Sequence, residues 1–143
     1  MAKEKEKKGV VTGTPVSILW EGILLIPIFG ILDSLRSRQV MEAILNKLLE
    51  TGSKTIILDI LGVEYVDTAV ANRIVKITQA TKLMGAECII SGVSPAIAQT
   101  IVELGVNLGN TSTMSTLRNA LELAFEMNGL EVGRKEGSKK KGT

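Results

Sequence analysis

Two carboxylates, Asp59 and Asp67, bracket the segment ILGVEYV. Carboxylates placed near each other serve as a general acid–base pair or as ligands for a hard cation. Here neither has a third ligand or a nucleophile beside it. Simpler roles account for both: Asp59 as a turn residue at the end of a strand, Asp67 as the N-cap of a helix. Histidine is absent from the sequence, which excludes histidine triads, histidine bases and histidine metal ligands. The single cysteine, Cys88, excludes an internal disulfide and a multi-cysteine zinc site. It lies in the apolar run ECIIS and reads as a small buried hydrophobe. One unpaired thiol fits a reducing cytoplasm. Neither a GxxxxGK[ST] phosphate loop nor a GxGxxG turn after a strand is present. No catalytic residues, no metal site and no cofactor are therefore expected.

The chemistry that remains is chemistry done to the chain. In DTAVAN, Asp67 to Asn72, Thr68 falls at the first turn of a predicted helix. At about 100° per residue, the apolar stripe of Val70, Ile74 and Ile77 is centred nearly opposite Thr68. Asn72, Lys76, Gln79 and Lys82 share its face, so Thr68 is expected to be exposed. A phosphate there would meet free backbone N–H groups and the positive end of the helix dipole, with Asp67 opposing it by like charge. On the residues alone, an ordinary helix-start threonine is the simpler account. Thr100, in SPAIAQTIVELG, is a second hydroxyl. It sits at the flank of an arc formed by Ile97, Ala98, Ile101 and Leu104, beside Gln99 and Glu103, and is expected to be partly exposed.

The elements that must position these groups are readable from periodicity and punctuation. Val16–Trp20 and Ile23–Phe29 are two β-rich apolar runs broken by Glu21-Gly22, the pattern of a β-hairpin. Pro27 in the second run predicts an edge or a bulge. Asp33 is placed to cap a helix carrying Leu35, Val40, Met41, Ile44, Leu45, Leu48 and Leu49 on one face, stopped by Gly52. Lys54–Ile60 reads as a central buried strand, and LGVEYVD, 61–67, as a loop. A helix from about Thr68 to Met84 follows, with Val70, Ile74, Ile77, Ala80, Thr81 and Met84 as its buried stripe. Then come the strand Glu87–Ser91 and a helix that starts at Ser94-Pro95 and closes on Gly105. A polar loop holding a short strand leads to a last helix from about Ser115 to Asn128. Its apolar residues, Leu117, Ala120, Leu121, Leu123, Ala124, Phe125 and Met127, cover more than a narrow stripe. The order β-β-α-β-α-β-α-(short β)-α predicts an α/β fold, a mixed sheet with helices on one or both faces.

Composition agrees. At 143 residues and 45% hydrophobic the chain has one domain's worth of core. At 3% aromatic that core must be aliphatic. The net charge of +2 divides unevenly: +2 in residues 1–9, +3 in residues 131–143 and −3 in between. The basic character thus sits in two polar tails, 1–13 and 129–143, expected to be disordered on either side of one domain, 14–128. The folded part has no basic patch interleaved with aromatics, so nucleic acid is not an expected partner. The run Gly22–Leu32 is too short to span a bilayer and contains Pro27, so no membrane segment is expected either.

The segments WEGILLIPIFGILDSLRSRQVMEAILNKLLETG, IILDILGVEYVDTAVAN and KLMGAECIISGVSPAIAQTIVELGV resemble STAS domains, the anti-sigma-factor-antagonist family, and in particular the STAS domain of RsbR-type stressosome scaffold proteins. The likeness covers about residues 14–127. It implies the STAS fold, a mixed β-sheet packed against about four α-helices. It also implies that a cognate kinase phosphorylates Thr68, at the start of the second helix, and Thr100, in the third. Threonine rather than serine at the first position matches the RsbR type. The implied partners are an RsbT-like serine/threonine kinase and RsbS-like and RsbR-like STAS proteins, in a dimer or larger cytoplasmic assembly. RsbR-type proteins usually carry an N-terminal sensor domain, often globin-like. This sequence shows only about a dozen polar residues ahead of the STAS-like region.

The expectation is a non-enzymatic, phosphorylatable scaffold that sequesters a switch kinase. Asp67, Thr68, Asn72, Lys76 and Gln79, with the loop 61–67, are expected to form the docking surface. The rival readings are a single-partner anti-sigma-factor antagonist, a small nucleotide-binding STAS module, and an enzyme built on Asp59 and Asp67.

Overall fold

The computed structural model describes residues 15–136. The N-terminal tail lies outside the described residues, and of the C-terminal tail only 129–136 is described, exposed throughout. Five strands form one sheet in sequential order: β1 (Ser17–Trp20), β2 (Ile23–Gly30), β3 (Thr55–Val63), β4 (Glu87–Ser91) and β5 (Ser112–Thr113). β1 and β2 are the antiparallel hairpin, and β2 through β5 run parallel. The helices are α1 (Ser34–Thr51), α2 (Thr68–Leu83), α3 (Pro95–Leu104) and α4 (Leu117–Met127). The mixed sheet and four helices are those the sequence predicts.

Alternation along the strands sorts the core into two layers. Leu24, Ile26 and Ile28 of β2, Ile56, Leu58 and Ile60 of β3, and Cys88 and Ile90 of β4 pack with the buried sides of α1 and α2. Ile23, Ile57 and Ile89 point the other way, onto Ala120, Ala124 and Phe125 of α4. The twelve largest fully buried side chains are all isoleucine or leucine, as a chain poor in aromatics requires. Each contributes about 1.5–3 kcal/mol on burial.

Pro27 does not make β2 an edge strand. β1 pairs with β2 only as far as Leu25, so the missing N–H of Pro27 falls beyond the hairpin ladder. On the other side, the register with β3 shifts between Pro27 and Phe29. That irregularity is matched by Gly62, where a Cβ would come within 2.6 Å of the Cβ of Phe29. Pairing resumes there, so β3 continues to Val63 and the expected loop 61–67 shrinks to residues 64–67.

The helix faces need correction. In α1, Val40, Ile44 and Leu48 are buried, but Leu35 and Leu49 are exposed. Leu35 precedes Ile44 by nine residues, about half a turn around the helix axis, and so faces away from the sheet. In α2, Met84 is exposed, and Ala71 and Thr78 join the buried side instead. In α3 the predicted buried arc is only half-covered: no residue of the helix is fully buried, and Ala98 is exposed. In α4 the broad apolar face is only partly used, since Leu117 and Met127 remain exposed.

Candidate functional site

β2, β3 and β4 run parallel, so α1, α2 and α3 all begin at the carboxyl edge of the sheet. Each starts on a capping side chain. Asp33 accepts from the N–H of Arg36 at 2.7 Å, Asp67 from that of Val70 at 2.8 Å, and Ser94 from that of Ile97 at 3.2 Å. Asp67 is therefore occupied as an N-cap. Asp59 accepts from the N–H of Leu61 at 3.3 Å, at the irregular stretch of β3. Each carboxylate has a local backbone role. Among the described residues no group of three His, Cys, Asp or Glu side chains is placed to hold a metal ion.

Thr68 is the first residue of α2 and is exposed. Its N–H and that of Ala69 precede the first intrahelical hydrogen bond and point towards the carboxyl edge of the sheet. Asp67, Asn72, Lys76 and Gln79 are exposed as well. Thr68, Asn72, Lys76 and Gln79 are brought onto one face, while the opposite face, with Val70, Ile74, Ile77 and Thr81, is buried. Between Thr68 and Leu83 the helix carries Arg73, Lys76 and Lys82 and no carboxylate, so its own charge favours an added anion. Arg73 is tied down, donating to the carbonyl of Leu32 at 3.0 Å.

Thr100 is a turn and a half into α3 and partly exposed. Its hydroxyl donates to the carbonyl of Ala96 at 2.9 Å. It therefore starts with its proton engaged and with the backbone N–H groups around it already used. The two threonines sit on different helices: one at a helix start, the other at mid-helix.

Sequence reasoning missed the apolar surroundings of the Thr68 end. Phe29, Ile31, Leu61 and Tyr65 are all at least half exposed, at the carboxyl ends of β2 and β3 and in the segments that follow. Arg36 lies over the Phe29 ring, 5.7 Å from its centroid. In the sequence Phe29 reads as the end of an apolar strand and Leu61 and Tyr65 as part of the loop 61–67, with nothing to join them. Only the pairing of Phe29 with Gly62 puts them together at one edge.

Cys88 is buried, and burial, reinforced by the charge of Glu87, pushes its thiol up to about 12. It is inert at neutral pH. No helix among the described residues is long and apolar enough to cross a membrane.

The family model described as the STAS domain matches residues 19–122. The RsbT co-antagonist protein RsbRA of Bacillus subtilis (strain 168) is 39% identical over 113 residues, which are 79% of this chain and 41% of that protein. The chain thus spans less than half the length of that relative. Among solved structures, RsbS of Moorella thermoacetica, in a substituted form, superposes with a TM-score of 0.68 at 24% identity, covering 82% of this chain and 98% of the other. A chain from the molecular architecture of the stressosome gives a TM-score of 0.66 at 23% identity, covering 80% and 98%. These two structural likenesses carry the fold. The family match, which spans most of the folded residues, establishes that this chain belongs to the STAS domain family.

Proposed function

We propose that this chain is a non-enzymatic, phosphorylatable scaffold that binds and sequesters an RsbT-like serine/threonine kinase, together with RsbS-like and RsbR-like STAS proteins, in the cytoplasm. Its control is phosphorylation of Thr68, with Thr100 as a slower second acceptor. The observation that carries the reading is an exposed hydroxyl at the start of a helix whose far side is firmly packed. The similarity to an RsbT co-antagonist supplies the kinase class.

The mechanism is local electrostatics. A phosphate adds about −1.5 to −2 charge and three acceptor oxygens. At Thr68 it meets unpaired N–H groups and the positive end of the helix dipole, and it changes a surface that the core does not use. Asp67, Asn72, Lys76 and Gln79, with the segment 61–67, form the kinase contact. Phe29, Leu61 and Tyr65 give that contact an apolar component. Adding charge beside an apolar contact weakens it by desolvation, so phosphorylation releases the kinase without refolding the domain.

Calorimetry with the purified kinase tests the surface. Lys76→Glu is expected to weaken binding by about tenfold and to leave the thermal midpoint within about 2 °C of wild type. Equal affinity of wild type and variant removes this face from the account. Light scattering tests the assembly: the chain alone is expected as a monomer or dimer, with large particles only when an RsbS-like partner is added. Large particles from the chain alone would contradict it.

A further inference from the structure

The ladder between β3 and β4 ends at Asp59 and Ser91. Directly after it the chain turns towards α3 at Gly92, which is buried and has a φ of 78°. A side chain is disfavoured at that φ, and space constrains the position further. A Cβ on Gly92 would lie 2.5 Å from Oδ1 of Asp59, 2.6 Å from the N of Leu61 and 2.8 Å from the Cα of Leu61. A carboxylate can swing aside, but the backbone of Leu61 cannot yield without moving the segment it begins. Asp59 holds the same residue, its Oδ1 accepting from the N–H of Leu61 at 3.3 Å. On the opposite flank Gly62 lies against Phe29 at a spacing that also excludes a Cβ. The stretch Asp59–Gly62 is thus gripped between the ends of β2 and β4.

That stretch leads into the segment 61–67 and Thr68. Leu61 is 69% exposed, so burial of its own side chain does not fix its place; its backbone contacts do. Of the two sides of the Gly92 contact, the turn is the better anchored. Ser91 before it is fully buried. The N–H of Val93 donates to the carbonyl of Met114 at 3.2 Å, and the N–H of Met114 donates to the carbonyl of Ile90 at 2.8 Å. Leu61 has solvent on its outer side. Bulk added at Gly92 therefore displaces Leu61 rather than the turn.

We infer that Gly92 and Asp59 are positioning residues for the kinase contact. Gly92 is buried and acts through Leu61: its lack of a side chain lets the end of β3 sit close, and the Asp59 carboxylate holds it there. This role rests on the kinase reading and adds to it what sets the course of the segment 61–67.

The test is backbone-amide NMR of the full chain, with calorimetry against the purified RsbT-like kinase. Gly105 has a φ of 71° and nothing within 4 Å of a Cβ, so Gly105→Ala imposes the left-handed strain without the contact. Gly92→Ala is expected to shift the amides from Leu61 through Thr68 and to weaken kinase binding about tenfold. Gly105→Ala is expected to lower the thermal midpoint and to leave those amides and the affinity at wild type. Asp59→Ala removes the acceptor without adding bulk and is expected to weaken binding about threefold. Asp59→Asn keeps an acceptor oxygen and is expected to restore it. The Asp59 pair carries the test should Gly92→Ala not fold. The inference is overturned if the Gly92→Ala shifts stop at Leu61 or fall on 93–105 instead, or if Gly105→Ala weakens binding as much. It is also overturned if Asp59→Ala binds as wild type does, or if Asp59→Asn binds no better than Asp59→Ala. A wild type that does not bind the kinase would contradict the kinase reading, and the amide shifts, which need no kinase, would still decide the positioning.

Discussion

Helices α2 and α3 follow successive parallel strands, begin at the same edge of the sheet and carry one candidate acceptor threonine each. Their caps are alike, Asp67 on Val70 and Ser94 on Ile97. Their anchoring is not. α2 buries Val70, Ala71, Ile74, Ile77, Thr78 and Thr81, whereas α3, the more apolar of the two by composition, fully buries nothing and leaves a partly open apolar pocket between Ile101 and Val102 on one side and Ile60, Ile74 and Ile90 on the other. Apolar content sets how much surface a helix offers for burial, and the neighbouring side chains set how much is used. Thr68 thus stands on a rigid platform and Thr100 on a loosely seated one.

The largest expected contrast is chemical and runs along β4. Cys88 and Ile90 lie two residues apart on one side of that strand, the first away from the open pocket beside α3 and the second on its wall. With its thiol raised from 9.0 to about 12, Cys88 should react with a maleimide about a thousandfold more slowly in the folded chain than in urea. Ile90→Cys in a Cys88→Ala background should react faster than Cys88, because α3 opens more readily than α2. Equal protection of the two positions, measured by mass spectrometry, would break the comparison. The sign of the pH effect follows: above 9.0 the unfolded chain gives up the Cys88 proton first. Stability is therefore full below 9.0 and falls as pH rises towards about 12.

Next in size is truncation of one isoleucine from each helix. Ile77→Ala removes a fully buried side chain that does not border the pocket beside α3 and should cost about 2–5 kcal/mol in urea denaturation. Ile101→Ala removes one that already borders empty space and should cost about 1 kcal/mol. Similar costs would mean that α3 is as firmly packed as α2. The smallest contrast is at the caps: Asp67→Ala and Ser94→Ala should each cost about 1 kcal/mol, since the cap is local and does not depend on what lies beneath the helix. A much larger loss at Ser94 would show that the cap alone holds α3 in place.

The order of elements, the hairpin at Glu21-Gly22 and the three caps were legible in the sequence, because each depends on residues within a few positions of one another. The layer to which each strand residue belongs was not. ILLIPIF and TIILDI are apolar on both sides, so alternation carries no sign until α4 is seen to cover Ile23, Ile57 and Ile89. The continuation of β3 through Gly62 was hidden for a related reason. Glycine reads as a turn, and only Phe29 packing over it on the next strand makes it a pairing position. The exposure of Thr68 was readable because its helix has one well-filled side. The burial of α3 was overestimated because the wheel reports which residues face inwards and not whether anything meets them. The partly open pocket beside α3 is lined by Ala71 and Ala98, 27 residues apart in sequence and joined only by the fold.

The central claim is that Thr68 is the controlling acceptor and Thr100 the slower one. It is tested most directly by a time course with purified RsbT-like kinase and MgATP, read by mass spectrometry on wild type, Thr68→Ala and Thr100→Ala. The account predicts phosphate first at Thr68, where backbone donors are free, and later at Thr100, whose hydroxyl is engaged by Ala96 and which has Glu103 one turn away. It also predicts that incorporation is abolished when both are alanine. Phosphate appearing first at another residue, or undiminished total incorporation in the double variant, would contradict it.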